Sequence, residues 1–205
     1  MNSAAVPTEA AERRYHHGDL RNALVEAGLK LIETRAVDDL GLREVARAVG
    51  VSATAIYRHF PDKQALKAAL ALAGLARLAV LQQQASAQAG GGAPGFLASG
   101  LAYVRFATEN PVLFRLVFSH AQPDQLLDSE PSQVSAALCG LLEDVGRLLP
   151  PGAGTAQRKT AALHAWALVH GLALLVLDKQ IPADWVLIER VLAGFGAPLG
   201  APQRV

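Results

Sequence analysis

A single cysteine, Cys139, stands in 205 residues. That excludes an internal disulfide framework and any cysteine-rich zinc site, and makes a reducing cytoplasm the expected location. Charge of one sign is also lacking. The formal net charge is +1, so contact with a polyanion has to come from a local patch and not from a global basic excess. Met1 to Arg14 contain no apolar core of the secretory kind, and no secretory address is expected there. There is no Gly-x-Ser-x-Gly elbow and no paired-histidine zinc motif. His16 and His17 are adjacent, so they point in different directions at a helix start, and no carboxylate follows at i+4; no metal and no cofactor are expected. Cys139 lies among Ala136, Ala137, Leu138 and Leu141, the setting of an inert buried thiol. Long hydrophobic runs are scarce too. The one candidate, Ala161 to Leu177, is shorter than the about 20 residues of a membrane span and is bounded by Lys159 and Asp178. Burial on both sides in a soluble protein, with no membrane partner, is the expectation.

What the chain does have is apolar mass, 51% of its residues, enough for a sizeable core in one large domain or two small ones. Glycine and proline cluster at a few places and leave long segments between them. No sustained alternating pattern and no internal repeat occurs, so an all-α fold is predicted. Met1 to Arg14 reads as a flexible arm ending in the basic pair Arg13-Arg14. From a cap at Asp19, the residues Leu20, Ala23, Leu24, Ala27 and Leu31 fall at helical spacing. After the Val37-Asp38-Asp39 break, Leu42, Val45, Ala46 and Val49 repeat that spacing over two turns and stop at Gly50. Ser52 caps a second short helix, Ala53 to His59, closed by Phe60-Pro61. Asp62 then caps a long helix from Lys63 to about Ala87, with Leu66, Ala69, Leu70, Ala73 and Leu81 on or near its buried face. It ends in Gly90-Gly91-Gly92-Ala93-Pro94, a flexible connection and not a nucleotide loop, because no strand precedes it and no Lys-Ser/Thr follows. Further helices are predicted at 95–109, 111–119, 125–149, 155–178 and 183–195.

The segment from Leu42 to Phe60 carries the chemistry. Ala46 is small where two short helices cross, Gly50 supplies a positive φ for a tight turn, and Val45, Val49, Val51 and Ile56 fill the wedge. That is the spacing of a DNA-binding helix-turn-helix. Its second helix offers short or hydrogen-bonding side chains at Ser52, Ala53, Thr54, Tyr57 and Arg58, where bulky apolar groups would block entry to a groove. Ala53 and Thr54 near its start are the base-reading candidates. Arg43 and Arg47 on the first short helix, with Tyr57, His59 and Lys63, are placed to hold the sugar-phosphate backbone. Arg47 or Lys67 alone reads as an ordinary solvated charge; the constellation does not.

These residues resemble the TetR family of repressors. The likeness runs from Tyr15-His16-His17-Gly18-Asp19-Leu20-Arg21 through Leu42-Arg43-Glu44-Val45-Ala46 and Gly50-Val51-Ser52 to Ile56-Tyr57-Arg58-His59-Phe60-Pro61-Asp62-Lys63. Farther along, Trp166, His170 and Gly171 resemble the Trp-x-x-x-His-Gly signature of one class of TetR-like C-terminal domains. Two departures occur: Gly41 stands where a Ser or Thr cap is common, and Ala36 where a helix-ending glycine is common. With the arm at 1–14 and a tail at 199–205 set aside, the resemblance implies a three-helix DNA-binding domain at 15–62 and a larger helical effector-binding and dimerisation domain at 63–198. It further implies phosphate contacts from Tyr57 and Lys63. The partners it implies are double-stranded DNA bearing an inverted-repeat operator, a second copy of the chain joined through the last two long helices, and a small-molecule effector that releases the DNA. An all-round apolar helix at 155–178 fits independently, since it needs two covers. Phe106, Phe114, Phe118, Trp166 and His170 are the effector-site candidates; for each phenylalanine plain packing is the alternative, and for His170 a satisfied core histidine. The competing class is a helical-bundle carrier or enzyme that keeps the helix-turn-helix for packing alone.

Overall fold

A computed structural model describes residues 17–120 and 136–194. His16, the arm at 1–14, the beginning of the predicted 125–149 helix and the tail at 199–205 lie outside the described residues. The elements are all helical: α1 (His17–Ile32), a 3-10 turn (Val37–Asp39), α2 (Leu42–Val49), α3 (Ala53–Tyr57), α4 (Lys63–Gln88), α5 (Gly92–Glu109), α6 (Pro111–His120), α7 (Ala136–Leu148), α8 (Thr155–Leu177) and α9 (Trp185–Ala193).

α1 buries Leu24, Val25, Leu29 and Ile32, with Leu20, Ala27 and Leu31 partly covered. The buried stripe is therefore turned about one position from the predicted one, because α1 packs on α2, α4 and α6. It begins at His17, which places Asp19 inside the helix and not ahead of it as a cap. α3 is also shorter than predicted, and Arg58 and His59 form the turn that follows it.

α4 is the central element, packed by α1, α5, α6 and α7. Leu66 and Leu70 of its first half are fully buried; a β-carbon added at Gly28 of α1 would sit 2.9 Å from Leu70 Cδ2. Farther along, a β-carbon at Gly74 would come within 2.7 Å of Leu113 and 2.9 Å of Val117 on α6. Glycine is what lets these helices approach so closely. Leu81, predicted near the buried face, is 42% exposed, because the covered side of α4 shifts as its neighbours change along its length. The hydrophobic core runs without a break from Leu24 and Phe60 through Leu70 to Phe106, Phe114 and Ala173. It thus crosses the boundary expected at 62/63, and Arg77 of α4 pairs with Glu26 of α1 over the same seam.

The glycine cluster is a tight corner and not a loose connection. Gly90, Gly91 and Gly92 take φ of 83°, 71° and 58°, and the Gly91 amide bonds to the Ser86 carbonyl at 2.9 Å. α5 starts within it. α4 and α8 are each long and apolar enough to cross a membrane by length and composition. Packing on several sides accounts for the composition of α4. α8 buries Ala162, Ala165, Leu172 and Ala173 on one side while Leu163 and Leu175 on another stay 43% exposed. α9 is capped by Asp184, whose carboxylate accepts from the Val186 and Leu187 amides. Beside α8, it leaves Val186, Leu187 and Val191 uncovered.

Candidate DNA-binding and ligand sites

The helix-turn-helix is built by three local devices. Gly50 ends α2 in the left-handed conformation, φ 79° and ψ 25°, and the Val51 amide reaches back to the Ala46 carbonyl at 2.9 Å. Ser52 then starts α3, its hydroxyl accepting from the Ala55 amide at 3.3 Å. Between the helices Val45, Ala46 and Ile56 are buried to 1% exposure or less, with Val49 and Val51 packed at the margin. Phe60 closes the underside, and the Arg21 guanidinium lies 5.3 Å from its ring centre.

This frame leaves Ser52, Ala53, Thr54, Tyr57 and Arg58 exposed along one end and side of α3 and the turn after it. Arg43 and Arg47 are exposed on α2, four residues apart and so on one face. His59 is half-buried. Lys63 is half-buried as well, and its ammonium donates to the Asp38 carbonyl. Lys67 is tied to the same turn, its Nζ 2.6 Å from Asp38 Oδ1. Hydrogen bonding and charge attraction from Lys67, with a smaller pull from Lys63, lower the Asp38 pKa. The two lysines thus fasten the start of α4 to the α1–α2 connection. Sequence reading placed Lys63 on phosphate and had no signal for this tie, which spans 25 residues.

A second site lies in the larger helical part. A cavity of about 100 Å³ opens between α4, α5, α6, α7, α8 and α9, walled chiefly by aliphatic and aromatic side chains. Phe118 and Trp166 line it. Phe106 and Phe114 are not among its lining residues; they are buried in the core, with Phe114 edge-on to Tyr103 at 5.7 Å. His170 is also outside the lining, but it touches the cavity through Tyr103.

Tyr103, which the sequence reading missed, organises this wall. Trp166 Nε1 has only a hydrogen to give and donates it to the Tyr103 hydroxyl at 3.3 Å. The buried Tyr103 hydroxyl must also place its own proton, and His170 Nδ1, 2.9 Å away, takes it when the imidazole carries its proton on Nε2. That form of His170 is neutral. Burial favours the same form: it lowers the His170 pKa and raises that of Tyr103, which stays protonated as a donor. Trp166 and His170 are four residues apart on α8, so one turn presents both to Tyr103 on α5. The available signal was that a tyrosine in an apolar helix needs a partner for its hydroxyl.

A small helix-turn-helix unit with an exposed, partly cationic reading face, fused through α4 to a helical bundle containing an apolar cavity, defines a DNA-binding regulatory protein. Two family descriptions match the chain: "Bacterial regulatory proteins, tetR family" over residues 24–70 and "Tetracyclin repressor-like, C-terminal domain" over residues 96–195. A protein of unknown function from Rhodococcus sp. RHA1 is 31% identical, with 89% of this chain and 95% of that chain covered and a TM-score of 0.68. A tetR-family transcriptional regulator from Streptomyces coelicolor shares the fold at 21% identity, covering 87% and 79% of the two chains, TM-score 0.56. A TetR transcriptional regulator from Rhodococcus sp. RHA1 does so at 17% identity, covering 87% and 99%, TM-score 0.50. The chain belongs to the TetR family. It is a DNA-binding transcriptional regulator and not an enzyme.

Proposed function

We propose that the chain is a cytoplasmic homodimeric repressor that grips an inverted-repeat operator and lets go when a small molecule fills the Phe118–Trp166 cavity. The observation that carries this reading is the sharing of α4: its first half packs on α1 of the DNA-reading unit, and Leu75, Leu78 and Gln82 of the same helix wall the cavity. A ligand pressing on that wall has a rigid path to the reading helices. Such coupling requires that the ligand bind the released arrangement more tightly than the DNA-bound one. The uncovered apolar faces of α8 and α9 supply the surface on which a second copy would pack, setting two α3 helices on successive major grooves.

In this reading Ala53 and Thr54 meet base edges, while Ser52, Arg43, Arg47, Tyr57, Arg58 and His59 hold the backbone. Lys63 joins them only by leaving the Asp38 carbonyl. Trp166 and Phe118 contact the effector directly; His170 acts by orienting Tyr103, and Phe106 and Phe114 support that wall from behind. The test is selection of bound fragments from random DNA followed by binding to the recovered sequence. An inverted repeat should emerge, and Thr54→Ala and Tyr57→Phe should weaken binding without lowering the thermal midpoint. Recovery of no preferred sequence by a folded dimer overturns the proposal.

A further inference from the structure

A second cavity adjoins the first, and the two linings differ in kind. The inner one is lined by groups such as Leu75, Leu78, Phe118, Leu138 and Trp166. Tyr103 at its end has no proton left to offer, since its hydroxyl already donates to His170 and accepts from Trp166. A polar group carried there would shed water without replacement, which is costly. The inner cavity therefore selects an apolar body.

The outer cavity, about 290 Å³, shares Gln82, Phe96, Ser99, Ala137 and Leu141 with the inner one and ends at Glu143, Asp144 and Arg147 of α7. Gln82 stands where the two meet. Its Nε2 donates to the Ser99 hydroxyl at 3.2 Å and the Ser99 carbonyl at 3.5 Å. A carbonyl only accepts, so that contact fixes the amide orientation and turns Oε1 away as an acceptor. Arg147 donates to Asp144 at 2.9 Å and to Glu143 at 3.2 Å, so its fork is engaged by two carboxylates. Among the described residues its lining sets two carboxylates against one guanidinium, which leaves surplus acceptors and one surplus negative charge.

Resting on the effector reading above, we infer that the ligand is a cationic amphiphile. Its apolar body lies against Trp166 in the inner cavity, and its amine head donates to Asp144, Glu143 and the Gln82 carbonyl oxygen in the outer one. A carboxylate head of the same length is disfavoured by the two acids, and a purely apolar ligand leaves the outer cavity unused.

The test uses decylamine, decanol and decanoate, titrated calorimetrically against the full chain and followed through Trp166 fluorescence in a Trp185→Phe background. Decylamine should bind at least about tenfold more tightly than decanoate. Glu143→Gln with Asp144→Asn should collapse that ratio while leaving the thermal midpoint nearly unchanged, since exposed ion pairs on one helix contribute little. As a second variant, Gly140→Leu projects into the outer cavity, where an added β-carbon meets nothing within 4 Å, and should weaken the amine selectively over decanol. Decanoate binding as well as decylamine, a ratio untouched by the double substitution, or no binding by any probe overturns the inference. Release of DNA is measured in parallel: decylamine that binds without release leaves the ligand class standing and sinks the effector reading. Decanoate that binds best and releases DNA does the reverse.

Discussion

Two glycines flank α2, and they make opposite demands. Gly50 holds φ 79°, where a β-carbon costs about 1–2 kcal/mol. Gly41 caps the other end at φ −105° and ψ 138°, an ordinary extended conformation, with no side-chain hydrogen bond and open space where a β-carbon would go. Gly50→Ala should therefore destabilise by about 1 kcal/mol or more, and Gly41→Ser should stabilise by about 0.5–1 kcal/mol through capping and a stiffer unfolded chain. Denaturant midpoints with unchanged slopes measure both; equal effects at the two positions would refute the distinction. His170 makes a pH prediction. Its pKa is lowered in the fold from the ordinary 6.5, so the unfolded chain takes up the proton first as pH falls. The stabilisation from the Tyr103 bond is fully present above about pH 6.5 and declines below it. His170→Phe should flatten stability across that window, and an unchanged profile would show that the imidazole is not held neutral.

The wedge residues were legible in sequence because they are local: Ala46, Gly50 and Ile56 fall at spacings that one turn fixes. Tyr103 was not, since its partners lie 63 and 67 residues away and only the packing of α5 on α8 brings them together. Phe106 and Phe114 were chosen for size, and size cannot separate a core residue from a cavity wall. Lys63 was placed on phosphate by its constellation and by resemblance, while its contact with Asp38 depends on how the α1–α2 connection folds back on α4.

Among the elements, α4 has to be stiff for a cavity to speak to a reading helix. Its boundaries were readable from Asp62, which caps it at 2.8 Å, and from the glycines beyond it. Its neighbours were not, because an alanine-rich helix presents small residues on most sides. One close approach, Gly74 on Leu113 and Val117, joins α4 to α6. Gly74→Val should force those helices apart and cost about 1–3 kcal/mol. A flexible insertion within α4, between Gly74 and Leu78, should leave DNA binding by the dimer but abolish release by ligand. Release that persists through the insertion would show that coupling runs by another route.

For the whole molecule, the near-zero charge and the all-apolar α8 pointed the same way from sequence: function rests on local surfaces, and one helix lacks a cover. The fold sharpens this to two exposed faces, Leu163 and Leu175 on α8 with Val186, Leu187 and Val191 on α9. Val186→Glu together with Leu175→Glu should convert the dimer to monomer in sedimentation and lower DNA affinity by at least about tenfold, since a monomer engages only one half-site. A dimer that survives both charges would place the interface elsewhere.

Reading of DNA by the α2–α3 unit is tested most directly by equilibrium binding to the selected inverted repeat across a range of salt concentrations. Affinity should fall steeply and linearly in log–log form as counterions compete. Thr54→Ala should narrow the gap between the selected repeat and scrambled DNA. Equal affinity for selected and scrambled DNA by the folded wild-type dimer, at every salt concentration, would contradict it.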